Sequence, residues 1–101
     1  MKYSIIKYQF ANGTTEEWHR EVARFIAALD ADPDLKGRIS YRCMKNADDK
    51  SYVHLAAAAD DAAISTLQSR DFFQQYREKT REVAGGNVTV TPIEMIAGTA
   101  N

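Results

Sequence analysis

Residues 38–58 read RISYRCMKNADDKSYVHLAAA. From Arg38 to Lys45 the side chains alternate: Ile39, Tyr41 and Cys43 fall on one side, Ser40, Arg42 and Met44 on the other. That period of two is what a pleated strand imposes. Asn46 to Lys50 is a polar turn, and Ser51 to Ala58 returns as a second strand, with Tyr52, His54 and Ala56 opposing Val53, Leu55 and Ala57. The pair predicts an antiparallel hairpin with a long loop. It lies at the middle of a 101-residue chain, with room on each side for one helix and one more strand.

Upstream, Pro33 and Gly37 bracket a loop. Before it, Trp18, Val22, Phe25, Ile26 and Leu29 recur at helical spacing, which predicts a helix ending near Asp30 with one apolar face. Thr14 and Glu17 have the spacing of a capping box at its start. Lys2 to Phe10 reads as a strand, stopped by Asn12-Gly13. Downstream, Asp60 or Asp61 caps a helix with Ile64 and Leu67 inward, and a second cap near Ser69 and Asp71 suggests that the helix breaks and restarts. Phe72, Phe73, Tyr76 and Val83 form its later stripe, Gly85-Gly86 stops it, and Asn87 to Ile96 is a last strand whose Pro92 belongs at an edge or a bulge. The order is β-α-β-β-α-β over a single domain, residues 1–101. With right-handed crossovers this gives an α+β, ferredoxin-like subunit: a four-stranded antiparallel sheet with its helices on one face.

Two helices cover only one face of such a sheet, yet both faces carry large apolar groups. Tyr3 and Ile5 oppose Ile6, Tyr8 and Phe10 in the first strand; Val88 and Val90 oppose Ile93 and Met95 in the last, with a shift at Pro92. Soluble monomers rarely leave a contiguous apolar patch exposed, so a homodimer through the open sheet face is expected. Net charge is -1, which gives no excess of cations for phosphate neutralisation and argues against nucleic-acid binding. Cys43 is the only cysteine, which excludes an intramolecular disulfide. Neither the mixed N-terminal stretch nor any apolar run suggests a leader or a membrane span, so a cytoplasmic location is the expectation.

The stretches Tyr41-Arg42-Cys43-Met44-Lys45, Tyr52-Val53-His54-Leu55, Asp60-Asp61-Ala62-Ala63 and Ser69 to Tyr76 resemble the antibiotic biosynthesis monooxygenase (ABM) domain. The resemblance runs over nearly the whole chain in element order and spacing. It implies a dimeric α+β barrel built from two ferredoxin-like subunits. The superfamily it points to includes cofactor-independent monooxygenases acting on polycyclic aromatics, haem-degrading enzymes and isomerases. The haem-degrading branch ligates iron through a histidine of the second helix. The matching stretch here, Phe72 to Lys79, has none, with Tyr76 the nearest candidate.

Within that frame His54 is the candidate general acid–base, in mid-strand and of a type that titrates near neutral pH. Arg42 is the candidate stabiliser of a developing oxyanion, although Tyr41 and Arg42, being adjacent, cannot face the same pocket. Trp18, Phe72, Phe73 and Tyr76 are candidate walls for a flat apolar ligand. Each has a plainer alternative: a core histidine bonded for packing, a surface ion pair, a set of core aromatics. No dinucleotide or phosphate loop is present, because Gly85-Gly86 follows a helix and precedes a strand. Asp30-x-Asp32-x-Asp34 lacks the glycine and glutamate of a calcium loop. No cofactor and no metal are therefore expected. The two functions that remain are a cofactor-independent monooxygenase for a small aromatic or polycyclic substrate, with Tyr76 as a further stabiliser, and a non-catalytic ligand-binding or stress-related dimer. Which face of the third strand meets the helices separates them. Simple hydrophobicity favours the Val53 face, which would turn His54 toward the dimer interior.

Overall fold

The computed structural model describes residues 1–47 and 50–100. The elements are β1 (Lys2–Gln9), α1 (Thr15–Ala31), β2 (Ile39–Lys45), β3 (Ser51–Ala58), α2 (Asp61–Gln68), α3 (Asp71–Val83) and β4 (Thr89–Ile93). The strands form one antiparallel sheet in the order β2-β3-β1-β4, the ferredoxin-like arrangement. Asp48 and Asp49, the centre of the expected hairpin turn, lie outside the described residues.

The helix ends follow from local chemistry. Thr14 Oγ1 accepts from the Glu17 N–H at 3.3 Å and starts α1. Asp60 Oδ1 accepts from the Ala63 N–H at 2.8 Å, starts α2, and pairs with Arg38 Nη2 at the same distance. The second helical segment does break after Ser69. The new helix begins at Asp71, and its N-cap, Arg70, makes no side-chain cap; instead the Arg70 guanidinium reaches back to Asp32 and Asp34, each at 2.8 Å, and fastens the break to the end of α1. At the far end of α3, the N–H groups of Ala11 and Asn12 both donate to the Val83 carbonyl, so the chain leaving β1 closes that helix.

Strand β4 is shorter than Asn87–Ile96. Tyr3 pairs with Ile93 near the start of β1, so β4 soon runs out of partner. Pro92 sits opposite Ser4 on this edge strand, where a missing N–H costs least. The alternation passes Pro92 without a shift: Val90 shares a face with Ile6, and Ile93 with Tyr3.

The register decides which face is inside. Ile6 and Cys43 both lie beside His54, and Tyr8 beside Tyr52. These side chains meet α1 and α3, and the core gathers there around Trp18, Val22, Phe25, Leu29 and Tyr76. His54 has 0% exposure and Tyr52 1%. The His54 face therefore packs on the helices, contrary to simple hydrophobicity. The aromatic and imidazole rings of this face supply apolar area, and their polar tips satisfy one another. The opposite, open face carries Tyr3, Ile5, Met44, Val53, Leu55 and Ile93.

Candidate functional site

Helix α1 lies over β2, and all five residues of β4 are exposed. This uneven cover leaves a groove of about 660 Å³ between the sheet and helices α2 and α3. Its walls include Ile6, Ile39, Leu67, Phe73 and Val88, and Tyr41 and Tyr76 also line it. A volume of this size falls within the range of small-molecule sites.

Behind those two tyrosines is a buried chain of polar tips. Trp18 Nε1–H donates to Tyr8 Oη at 2.8 Å. Tyr8 Oη lies 2.8 Å from His54 Nε2, which Cys43 Sγ also approaches at 3.1 Å. On the other side of the ring, His54 Nδ1 bonds Tyr41 Oη at 2.5 Å and Tyr76 Oη at 3.3 Å, and the two phenol oxygens are 3.2 Å apart. One assignment of protons satisfies the imidazole and the three phenols. Tyr8 Oη already accepts from Trp18, so its own hydrogen is free for Nε2. Nδ1–H then donates to Tyr41, Tyr41 donates to Tyr76, and the Tyr76 hydrogen is left for the groove.

The rings are fixed as firmly as the tips. Tyr76 stacks on Phe25 with centroids 3.9 Å apart and on Trp18 at 5.7 Å. Tyr8 stacks on Tyr52 at 5.2 Å, and Tyr52 Oη is held by His19 Nε2 at 2.7 Å. Hydroxyls held this way reorganise little when charge develops beside them.

Burial sets the protonation states. It lowers the His54 pKa from 6.5 to about 4, so the imidazole is neutral at neutral pH. It raises Tyr8, Tyr41 and Tyr76 well above the usual phenol range and keeps them protonated. Cys43 is pushed up to about 11 by the same desolvation and stays a thiol. The groove thus meets neutral phenol donors supported by a neutral imidazole. No group of three or more His, Cys, Asp or Glu side chains among the described residues converges as a metal site would. No described helix is long and apolar enough to cross a membrane.

The candidate residues separate on this geometry. Tyr76 and Phe73 line the groove. His54 stands one layer behind it, fully buried, in contact with both phenols and also with Tyr8. Trp18 is not a wall of this groove; it closes the far end of the polar chain and borders a separate surface cleft near Thr14 and Lys79. Phe72 packs toward Phe25, with centroids 5.9 Å apart. Arg42 pairs with Leu55 on the open face, so it cannot act beside His54 within one chain. Tyr8 and Cys43 are the members that inspection of single residues passes over, and Tyr41 was weighed only as the alternative to Arg42. The signal for them was parity: in adjacent strands they share the face of His54.

No family model matches the sequence, and no curated protein does. Among solved structures, the chain is similar to SnoaB from Streptomyces nogalater, a cofactor-independent oxygenase, at 17% identity and a TM-score of 0.75, covering 99% of this chain and 98% of that one. It is similar to an antibiotic biosynthesis monooxygenase at 12% identity and a TM-score of 0.77, covering 96% and 100%. It is also similar to Rv0793 from Mycobacterium tuberculosis at 15% identity and a TM-score of 0.76, covering 98% of each chain. The chain shares its fold with these three proteins.

Proposed function

We propose that this chain is a cofactor-independent monooxygenase for a hydroxylated aromatic or polycyclic substrate, working as a homodimer. The observation that carries the reading is the Tyr41–Tyr76 hydroxyl pair on the groove, backed by buried, neutral His54. A substrate with an acidic enol or phenol gives its hydroxyl proton to solvent water at the groove and is held there as the anion. Tyr76 donates a hydrogen bond to the developing oxyanion, and Tyr41 and His54 hold Tyr76 in place. The anion passes an electron to dioxygen, and the two radicals combine at carbon. One oxygen atom stays there as a carbonyl; the other leaves as water, taking the single hydrogen of the oxidised carbon and one proton from solvent that balances the proton the hydroxyl gave up, and the substrate supplies every electron. His54 does not touch the substrate in this scheme, and its low basicity suits a positioning residue better than a general base.

The fold of the oxygenase SnoaB supports this reading. The homodimer is supported by the open face, where Met44 is 46% and Ile93 37% exposed in the lone chain beside Val53 and Leu55. The test is aerobic turnover of hydroxylated polycyclic aromatics by the dialysed protein. Tyr76→Phe should lower kcat about a hundredfold with little change in KM, the usual cost of one oxyanion donor. The apparent pKa of the rate should also rise, since the substrate anion loses its donor. His54→Ala should lower turnover about a hundredfold through the disordered phenols. Equal rates for Tyr76→Phe and the parent would remove the phenols from the mechanism.

A second reading, a non-catalytic small-ligand-binding dimer, has one observation in its favour: burial holds His54 and the phenols away from titration near neutral pH. Ligand binding with no oxygen uptake across these substrates would establish it.

A further inference from the structure

The charges around the groove are one-sided in a chain whose net charge is -1. Lys2, Arg77 and Arg81 line it, and no aspartate or glutamate among the described residues does. Lys2 is neutralised by Asp61 at 3.0 Å. Arg77 and Arg81 have no carboxylate within ion-pairing distance among the described residues, unlike Arg24, Arg38 and Arg70. They are four residues apart on α3, and so neighbours on one helix face, roughly 5–6 Å between Cβ atoms. Arg77 is held in place: its guanidinium carbon lies 5.7 Å from the centre of the Phe73 ring, itself a groove wall. A position in the last turn suits a cation because of the helix dipole. That accounts for Arg81 and leaves Arg77, and their shared aspect, unexplained.

We infer that the groove selects a carboxylate-bearing aromatic ligand, its ring between Phe73 and the apolar wall of β1 and β4 and its carboxylate at Arg77 and Arg81. The inference rests on the groove being the substrate site proposed above, and it narrows the substrate to hydroxyaromatic acids. Two guanidiniums one turn apart suit the two oxygens of a carboxylate, and the ring buries apolar area below them. Both arginines are exposed, so their effect is modest and screened by salt.

The test is an anaerobic titration of the full chain with 1-hydroxy-2-naphthoate, 1-naphthol and decanoate, read by calorimetry. The naphthoate should bind roughly tenfold more tightly than naphthol at low salt, a gap of the size two exposed ion pairs provide. Arg77→Gln combined with Arg81→Gln should close that gap, leave naphthol within about twofold, and abolish the salt dependence. Arg20→Gln combined with Arg24→Gln, on α1 away from the groove, should change neither. Equal affinity for naphthoate and naphthol in the parent, or equal weakening of both in the double variant, would overturn the carboxylate site. Decanoate binding as tightly as the naphthoate would overturn the aromatic part. Turnover plays no part in the titration, so loss of the oxygenase reading shows separately, as absent oxygen uptake with ligands that bind.

Discussion

His54 has no exposed surface, and four side chains bond to its ring. Its cost appears when it must take a second proton. The folded pKa is about 4 and the unfolded value 6.5, so as pH falls the unfolded chain binds a proton first. Stability present above about pH 6.5 is lost as pH drops toward 4, by about 3 kcal/mol in all. Denaturant titrations at several pH values should show that slope in the parent and a shallower one, by one proton, in His54→Gln. At neutral pH, His54→Ala should cost about 2–4 kcal/mol, because it opens a cavity and strips Tyr8 and Tyr41 of a partner. This environment was only half legible in the sequence. Alternation put Tyr52, His54 and Ala56 together but could not say which face met the helices, and hydrophobicity chose wrongly because mutual hydrogen bonds remove the penalty of burying these tips. Arg42 and Tyr41 were recognised as exclusive alternatives; the register gives the groove to Tyr41.

At the level of elements the sequence was far more explicit. The hairpin, the break at Ser69 and the caps at Thr14 and Asp60 all rest on local chemistry, which a single sequence carries. The end of β4 does not, because it depends on where β1 begins. The turn after α3 shows the same mixture. Gly85 has φ +64°, and a Cβ there would lie 3.3 Å from the Ala11 Cβ. Gly85→Ala should therefore cost about 1–2 kcal/mol, measured as a lowered denaturation midpoint with unchanged slope. The crowding against Ala11 is a tertiary fact; the need for a glycine after the helix was visible in Gly85-Gly86.

For the whole molecule, the expectation of a dimer came from apolar side chains on both faces of the strands. The register leaves Tyr3, Ile5, Val53 and Leu55 together on the side without helices. Sedimentation at micromolar concentration should give twice the chain mass. Leu55→Lys combined with Val53→Lys on that face should give monomers that keep the helix-side core, since neither side chain points into it. A parent protein that sediments as a monomer would sink the barrel and leave the groove to be judged alone.

The groove's chemistry is tested most directly by isotope. The dialysed protein, with a hydroxylated polycyclic aromatic that binds it and labelled dioxygen, should yield a product carrying one labelled oxygen atom, the second appearing in water, with no cofactor added. Product oxygen drawn from solvent, or no oxidation of a substrate shown to occupy the groove, would contradict the monooxygenase account.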